Sequence, residues 1–157
     1  MVEIGEPVPK VALVDTEMQK VKLDRPSKEN REKKTLIAFF PGAFTGVCTK
    51  EMCTFRDSMS KMNSLNANIL AISVDGPFSN KAFKEKNNLN FTILSDYKKK
   101  AVKKFDIPLK DFAGLKGYTA AKRAIFIADK QGIIRYKWVT DDPTVEPNYQ
   151  EIEAALA

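Results

Sequence analysis

Apolar positions along the chain come in two rhythms. Apolar runs over Thr35–Phe40 and Asn68–Val74 predict buried strands, and Phe91–Leu94, Arg123–Asp129 and Ile133–Val139 predict three more strands, each followed or joined by turn residues. Pro41-Gly42 and Asp75-Gly76-Pro77 break the first two, and Asp129 to Gly132 turns the last two into an antiparallel hairpin. Gly46 to about Leu65 follows the other rhythm. With Cys48 as origin, Met52, Phe55, Met59 and Met62 fall within roughly 40° of it at helical spacing, while Lys50, Asp57 and Lys61 fall opposite.

Weaker signals complete the series. Val11–Leu13 and Val21–Leu23, separated by Asp15-Thr16-Glu17, predict a small hairpin ahead of the main sheet. Ser27 to Lys34 is polar and reads as a loop or an exposed turn. Helices are expected over Ser79–Asn87, with Ser79 as cap, over the lysine-rich Tyr97–Phe105, and over Tyr149–Leu156. Asp106–Thr119, with Pro108, Gly114 and Gly117, reads as a long loop, and Asp141–Pro147 as another. Strand–helix–strand–helix followed by a hairpin and a helix describes an α/β chain, one central sheet with helices on its faces and right-handed crossovers between parallel strands. No repeat or low-complexity linker divides it, so residues 1–157 are expected to form a single domain.

Composition narrows the chemistry. Two cysteines and no histidine exclude a Ser-His-Asp triad and a Cys-His nucleophile pair. They also leave no ordinary Cys/His zinc site, so no metal and no cofactor is expected. The net charge of +6 is spread from Lys10 to Lys137, with its densest run at Lys98–Lys100 and no aromatic-interleaved RNA motif. It reads as a solvated surface rather than a nucleic-acid site. No run is long and apolar enough for a membrane span. The start MVEIGEPVPK has no basic-then-apolar leader, so a cytoplasmic location is expected, where thiols stay reduced.

Against that background Cys48 stands out. It lies where a strand hands over to a helix, and the free amides and dipole of a helix's first turn stabilise an anion there. A cysteine so placed is a candidate thiolate nucleophile. A second reading, a small hydrophobe on a core stripe, fits the same position. Without histidine, any activation must come from amides, hydroxyls or arginine.

The stretch PGAFTGVC, Pro41 to Cys48, resembles the signature of the peroxiredoxins, and CTKEMCTFRD from Cys48 resembles their bacterioferritin-comigratory, or Q-type, subgroup. Arg123 with the following IFIAD, Gly132 and the order of elements are similar too, from about Glu3 onward. The resemblance implies a thioredoxin-like fold with a central mixed sheet and an N-terminal hairpin. It implies reduction of hydrogen peroxide and organic hydroperoxides, with a thioredoxin-like or other dithiol reductant as partner, in a monomer or homodimer. Cys48 would be the peroxidatic cysteine, becoming a sulfenic acid. Thr45 would offer its hydroxyl to thiolate and peroxide, Pro41 would shield the sulfenate, and Arg123 would stabilise the negative charge. Each of the last three also has an ordinary structural reading, as helix cap, strand terminator and strand-end charge.

Cys53 would resolve the sulfenate. At five residues along a helix it lies about 140° round from Cys48, with the Cα atoms about 8.7 Å apart. A disulfide spans roughly 4.4–6.8 Å between Cα atoms, so the helix would have to unwind. Two features differ from that subgroup. Many relatives carry proline after the threonine, where this chain has Gly46, and Trp138 to Pro143 (WVTDDP) looks like the one-cysteine alkyl hydroperoxidase E kind. On that alternative an external thiol resolves Cys48. A non-enzymatic thioredoxin-fold holdase or binding module is the alternative from another class. Thioredoxin-type exchange is disfavoured, because the cysteines lack the Cys-X-X-Cys spacing.

Overall fold

The computed structural model describes residues 2–26 and 32–157. The expected loop at Ser27–Lys34 lies largely outside them, and Lys34 already belongs to a strand. The elements run β1 (Ala12–Val14), β2 (Lys20–Lys22), β3 (Lys34–Phe39), α1 (Gly46–Asp57), α2 (Met59–Ser64), β4 (Ala67–Ser73), α3 (Pro77–Lys86), β5 (Thr92–Ser95) and α4 (Lys100–Phe105). There follow β6 (Pro108–Leu109), β7 (Ala120–Ala121), β8 (Arg123–Ala128), β9 (Ile134–Thr140) and α5 (Tyr149–Leu156).

Seven strands form one mixed sheet in the order β2-β1-β5-β4-β3-β8-β9, with β3, β4 and β5 parallel and β8 and β9 antiparallel to their inner neighbours. The predicted N-terminal hairpin exists but is no separate outwork. β1 joins the sheet through Val14, paired with Ser95 of β5.

The central strands read as unbroken apolar runs because both of their faces are covered. Alternate side chains go to opposite sides. Ile37, Phe39, Leu70, Ile72, Ala124 and Phe126 meet α4 in one core. Leu36, Ala38, Ile69, Ala71, Ile125 and Ile127 meet α1, α2, α3 and α5 in the other. Phe39, Phe105 and Phe126 pack edge-on or tilted at 4.9–6.1 Å between ring centres, anchoring α4 to the sheet.

Four helix and loop expectations need correction. The single helix over Gly46–Leu65 is two. At Ser58 the backbone has φ −94° and ψ 2°, and its amide is shared between the carbonyls of Thr54 and Phe55. Its hydroxyl also donates to Thr54 O at 2.9 Å, so side chain and backbone compete for one acceptor and the helix breaks. α3 starts two residues before Ser79, with Pro77 at its first position and Gly76 as cap, because proline's fixed φ suits a helix start. The lysine-rich helix starts at Lys100 rather than Tyr97. Lys99 is left-handed at φ 60°, and the buried Asp96 carboxylate accepts from the amides of Ala101 and Val102. The long loop contains β6, paired with β7, and a 3₁₀ turn at Phe112–Gly114.

Candidate active site

The sheet register brings the site together. β8 runs antiparallel to β3 with Phe39 opposite Ala124, so Arg123, the first residue of β8, lies at the end where β3 gives way to Pro41 and α1. Arg123 is also paired with Thr140, the last residue of β9, which brings the following loop to Arg123 as well.

Cys48 is almost fully buried in the first turn of α1, on the stripe with Met52, Phe55 and Met62. It is not sealed among aliphatic groups alone. It lines a cavity of about 190 Å³ with Pro41, Thr45, Phe112, Arg123 and Thr144. Arg123 Nη2 donates to the sulfur at 3.2 Å and to Pro143 O at 2.7 Å. Arg123 Nη1 donates to Glu51 Oε1 at 2.8 Å, and both of these side chains are withdrawn from solvent. Burial pushes the Glu51 carboxyl up to about 7, against the pull of Arg123. Beyond it Tyr149 donates its hydroxyl to Glu146 at 2.7 Å, and Glu146 is paired with Lys50 of α1 at 3.1 Å. Burial and the Glu146 contact push the Tyr149 hydroxyl well above the ordinary phenol value.

The turn from β3 into α1 is held under strain. Phe44 has φ 64°, a left-handed conformation that a bulky residue rarely adopts. Asp75, in the loop after β4, accepts the Ala43 amide at 2.8 Å and pins the turn. Thr45 occupies the cap position of α1, but its side chain caps nothing. Its hydroxyl donates to Gly42 O at 2.8 Å.

Cys48, Thr45, Pro41 and Arg123 are thus brought to one cavity. Cys53 is not among them. It is half-buried on a different face of the unbroken α1, with its sulfur 3.8 Å from Asn87 Oδ1 just after α3. Glu51 belongs to the site without any motif to mark it; its one signal is its spacing, three residues past Cys48 and so on the same side of the helix. Pro143 closes the WVTDDP stretch, but nothing in that pattern marks its carbonyl as a partner of Arg123, and Glu146 carries no pattern at all; both arrive through the β8–β9 pairing. Phe112 is the aromatic residue on the cavity wall.

A profile of the AhpC/TSA family matches residues 4–137. The chain belongs to this family. Among curated peroxiredoxins it is 31% identical over 137 residues to a putative peroxiredoxin bcp of Coxiella burnetii, covering 87% of this chain and 88% of that one. It is 34% identical over 131 residues to the chloroplastic peroxiredoxin Q of Populus jackii, covering 83% of this chain but 57% of that longer protein. Among solved structures, a peroxiredoxin-like protein from Aquifex aeolicus superposes with a TM-score of 0.83 at 29% identity, covering 99% of this chain and 86% of that one. The thioredoxin-like peroxiredoxin fold and the Bcp/Q resemblance are therefore borne out, and the protein is a thiol-dependent peroxidase. Among the described residues no helix is long and apolar enough to cross a membrane.

Proposed function

We propose that Cys48 is the peroxidatic cysteine, and the observation that carries this is the 3.2 Å contact between its sulfur and Arg123 Nη2 on the wall of the cavity. The guanidinium is permanently charged and favours the thiolate without help from histidine. The thiolate attacks one peroxide oxygen. An S–O bond forms as the O–O bond breaks, the sulfur becomes a sulfenic acid, and the leaving oxygen takes a proton to become water or an alcohol. Arg123 and the free amides at the start of α1 face the charge that builds on those oxygens. Thr45 already donates its proton to Gly42 O, so its lone pair is left to accept the peroxide O–H. Pro41 covers the cavity beside the sulfur.

Cys53 then attacks the sulfenic sulfur, forming the disulfide and releasing water, and a thioredoxin-like dithiol restores both thiols. The cavity has room for hydrogen peroxide and for the reacting end of an organic hydroperoxide, and the reaction takes place in the cytoplasm. Cys53 faces Asn87 on an intact helix, which favours a second reading in which an external thiol attacks Cys48 directly.

The test is mass spectrometry after one equivalent of peroxide. A Cys48–Cys53 disulfide is expected, and a lasting Cys48 sulfenate with Cys53 still free selects the second reading. Cys48→Ser is expected to end peroxide consumption. Undiminished turnover in that variant removes Cys48 from the chemistry.

A further inference from the structure

We propose that the groove between β1 and the start of α4 is a second binding site, and that its ligand is a chain of linked phosphates.

The groove follows from the strand pairing. All three residues of β1 pair with β2, but on its other side β1 meets β5 at a single pair, Val14 opposite Ser95. Away from that pair a cavity of about 320 Å³ opens between β1 and residues 95–104. It shares no lining residue with the cavity beside Cys48.

Alternation along β1 decides what faces it. Val11 and Leu13 are buried, so Lys10, Ala12 and Val14 take the other side of the chain. Residues directly opposite on paired strands share a face, which puts Lys20 beside Val14 on that side. Lys98, Lys100 and Lys104 reach the same cavity from the facing wall. Lys98 and Lys100 belong to the densest basic run in the sequence. Five lysines therefore ring one cavity.

No carboxylate answers them. Lys50, Lys61, Lys81, Lys122 and Lys137 are each ion-paired, whereas none of the five groove lysines pairs with an acid among the described residues. The acid on the groove wall, Asp96, is buried, and its two oxygens accept from the amides of Ala101 and Val102. Lys104 donates to Lys10 O at 2.9 Å, which ties one wall to the other and cancels neither charge. Like charges gathered this way repel and work against the folded state until an anion sits among them. Lysine on an outermost strand guards it against pairing with other chains, which accounts for Lys20 on β2. That role does not extend to Lys98, Lys100 and Lys104, which lie in α4 and the turn before it.

Volume and charge set the ligand class. The cavity is at the small end of ligand pockets, with room for a small molecule rather than a nucleic-acid duplex. An ammonium binds phosphate as a point charge. A rod of linked phosphates can meet lysines on both walls at once, while a single phosphate meets one wall. Tyr97, 53% exposed, lines the groove with Lys98 Nζ 5.8 Å from its ring centre, and gives the base of a nucleotide a flat partner. Inorganic triphosphate and a nucleoside triphosphate are the two sources of this chemistry.

Titration calorimetry on the full chain, without magnesium at about 0.15 M salt, tests the site. Sodium triphosphate and ATP are each expected to bind one per chain, with orthophosphate about 100-fold weaker or more. ATP tighter than triphosphate by about tenfold, with Tyr97→Ala removing the difference, makes the ligand a nucleotide. Any smaller preference makes it the inorganic chain. Lys20→Glu combined with Lys100→Glu is expected to weaken triphosphate about 100-fold. Lys86→Glu combined with Lys130→Glu makes the same charge change at exposed positions off the groove, and is expected to weaken it under about threefold. Unchanged peroxide consumption in both double variants shows that they fold. Equal losses in the two, or no binding of triphosphate at about 1 mM, overturn the site and leave its lysines as solvated surface charge.

Discussion

Arg123 Nη2 lies 3.2 Å from the sulfur of Cys48, although 75 positions of sequence separate the two residues. The guanidinium also donates to Glu51 Oε1 and to Pro143 O. A planar fork with a fixed charge meets all three acceptors at once, while an ammonium is a single point that must choose.

Arg123→Lys is accordingly expected to lower the second-order rate with hydrogen peroxide about 100-fold or more, the scale of losing one aimed donor at developing charge. Stopped-flow oxidation of the reduced protein measures it. A loss under about threefold means the charge alone suffices and the fork geometry is incidental. The same variant should lose stability, because Glu51 is then left buried without its bidentate-capable partner.

Asp75→Ala tests the strained turn. Removing the acceptor of the Ala43 amide leaves the segment with Phe44 at φ 64° free to relax. The peroxide rate is expected to fall about tenfold, and stability by about 1–3 kcal/mol, the usual cost of losing a hydrogen bond to a charged group. Urea unfolding alongside the rate separates the two effects. A stability loss with an unchanged rate shows that the turn holds its shape without Asp75.

At the far end of the chain, Asn148 caps α5 by accepting from the amides of Gln150 and Glu151. Asn148→Ala is expected to cost about 1 kcal/mol, or roughly 2–4 °C in melting temperature. Thermal unfolding followed by circular dichroism checks it. An unchanged melting temperature places the stability of α5 in Ile152 and Leu156, its buried residues, alone.

Much of this was legible beforehand, for identifiable reasons. The strands from Lys34 to Phe39 and from Arg123 to Ala128 were readable because burial on both faces leaves an unbroken apolar run. Helix α5 fell at its expected bounds, Tyr149–Leu156. Cys48 and Arg123 were legible through their surrounding motifs, but their contact depends on strand register, which no local pattern encodes. Helix ends failed where a side chain did something other than its usual work. Ser79 does not cap α3, Thr45 turns away from α1, and Asp96 reaches forward from outside α4 to hold its amides. The break at Ser58 was hidden because the methionine stripe continues across it into α2.

Glu51 gives the protein a pH dependence of unusual sign. Its carboxyl is pushed from 4.5 to about 7, chiefly by burial, with Arg123 pulling the other way. Glu51 Oε2 and Arg123 Nε, both buried, have no hydrogen-bond partner among the described residues, so the pair is incompletely solvated by protein groups. Between the two values the folded state binds more protons than the unfolded state, and stability therefore falls as pH rises. This contribution is fully present below about 4.5, is lost by about pH 7, and changes little above that. It amounts to no more than about 3.5 kcal/mol, at about 1.4 kcal/mol per pH unit. Asp129 and Glu146, held below their ordinary values, lose stabilisation only at lower pH and leave this window largely untouched. Glu51→Gln keeps an acceptor for Arg123 but cannot titrate. Urea midpoints at about pH 5 and about pH 8 should therefore drop for the wild type and stay closer together for the variant. Equal drops in both proteins mean that Glu51 remains ionised throughout, with Arg123 outweighing burial.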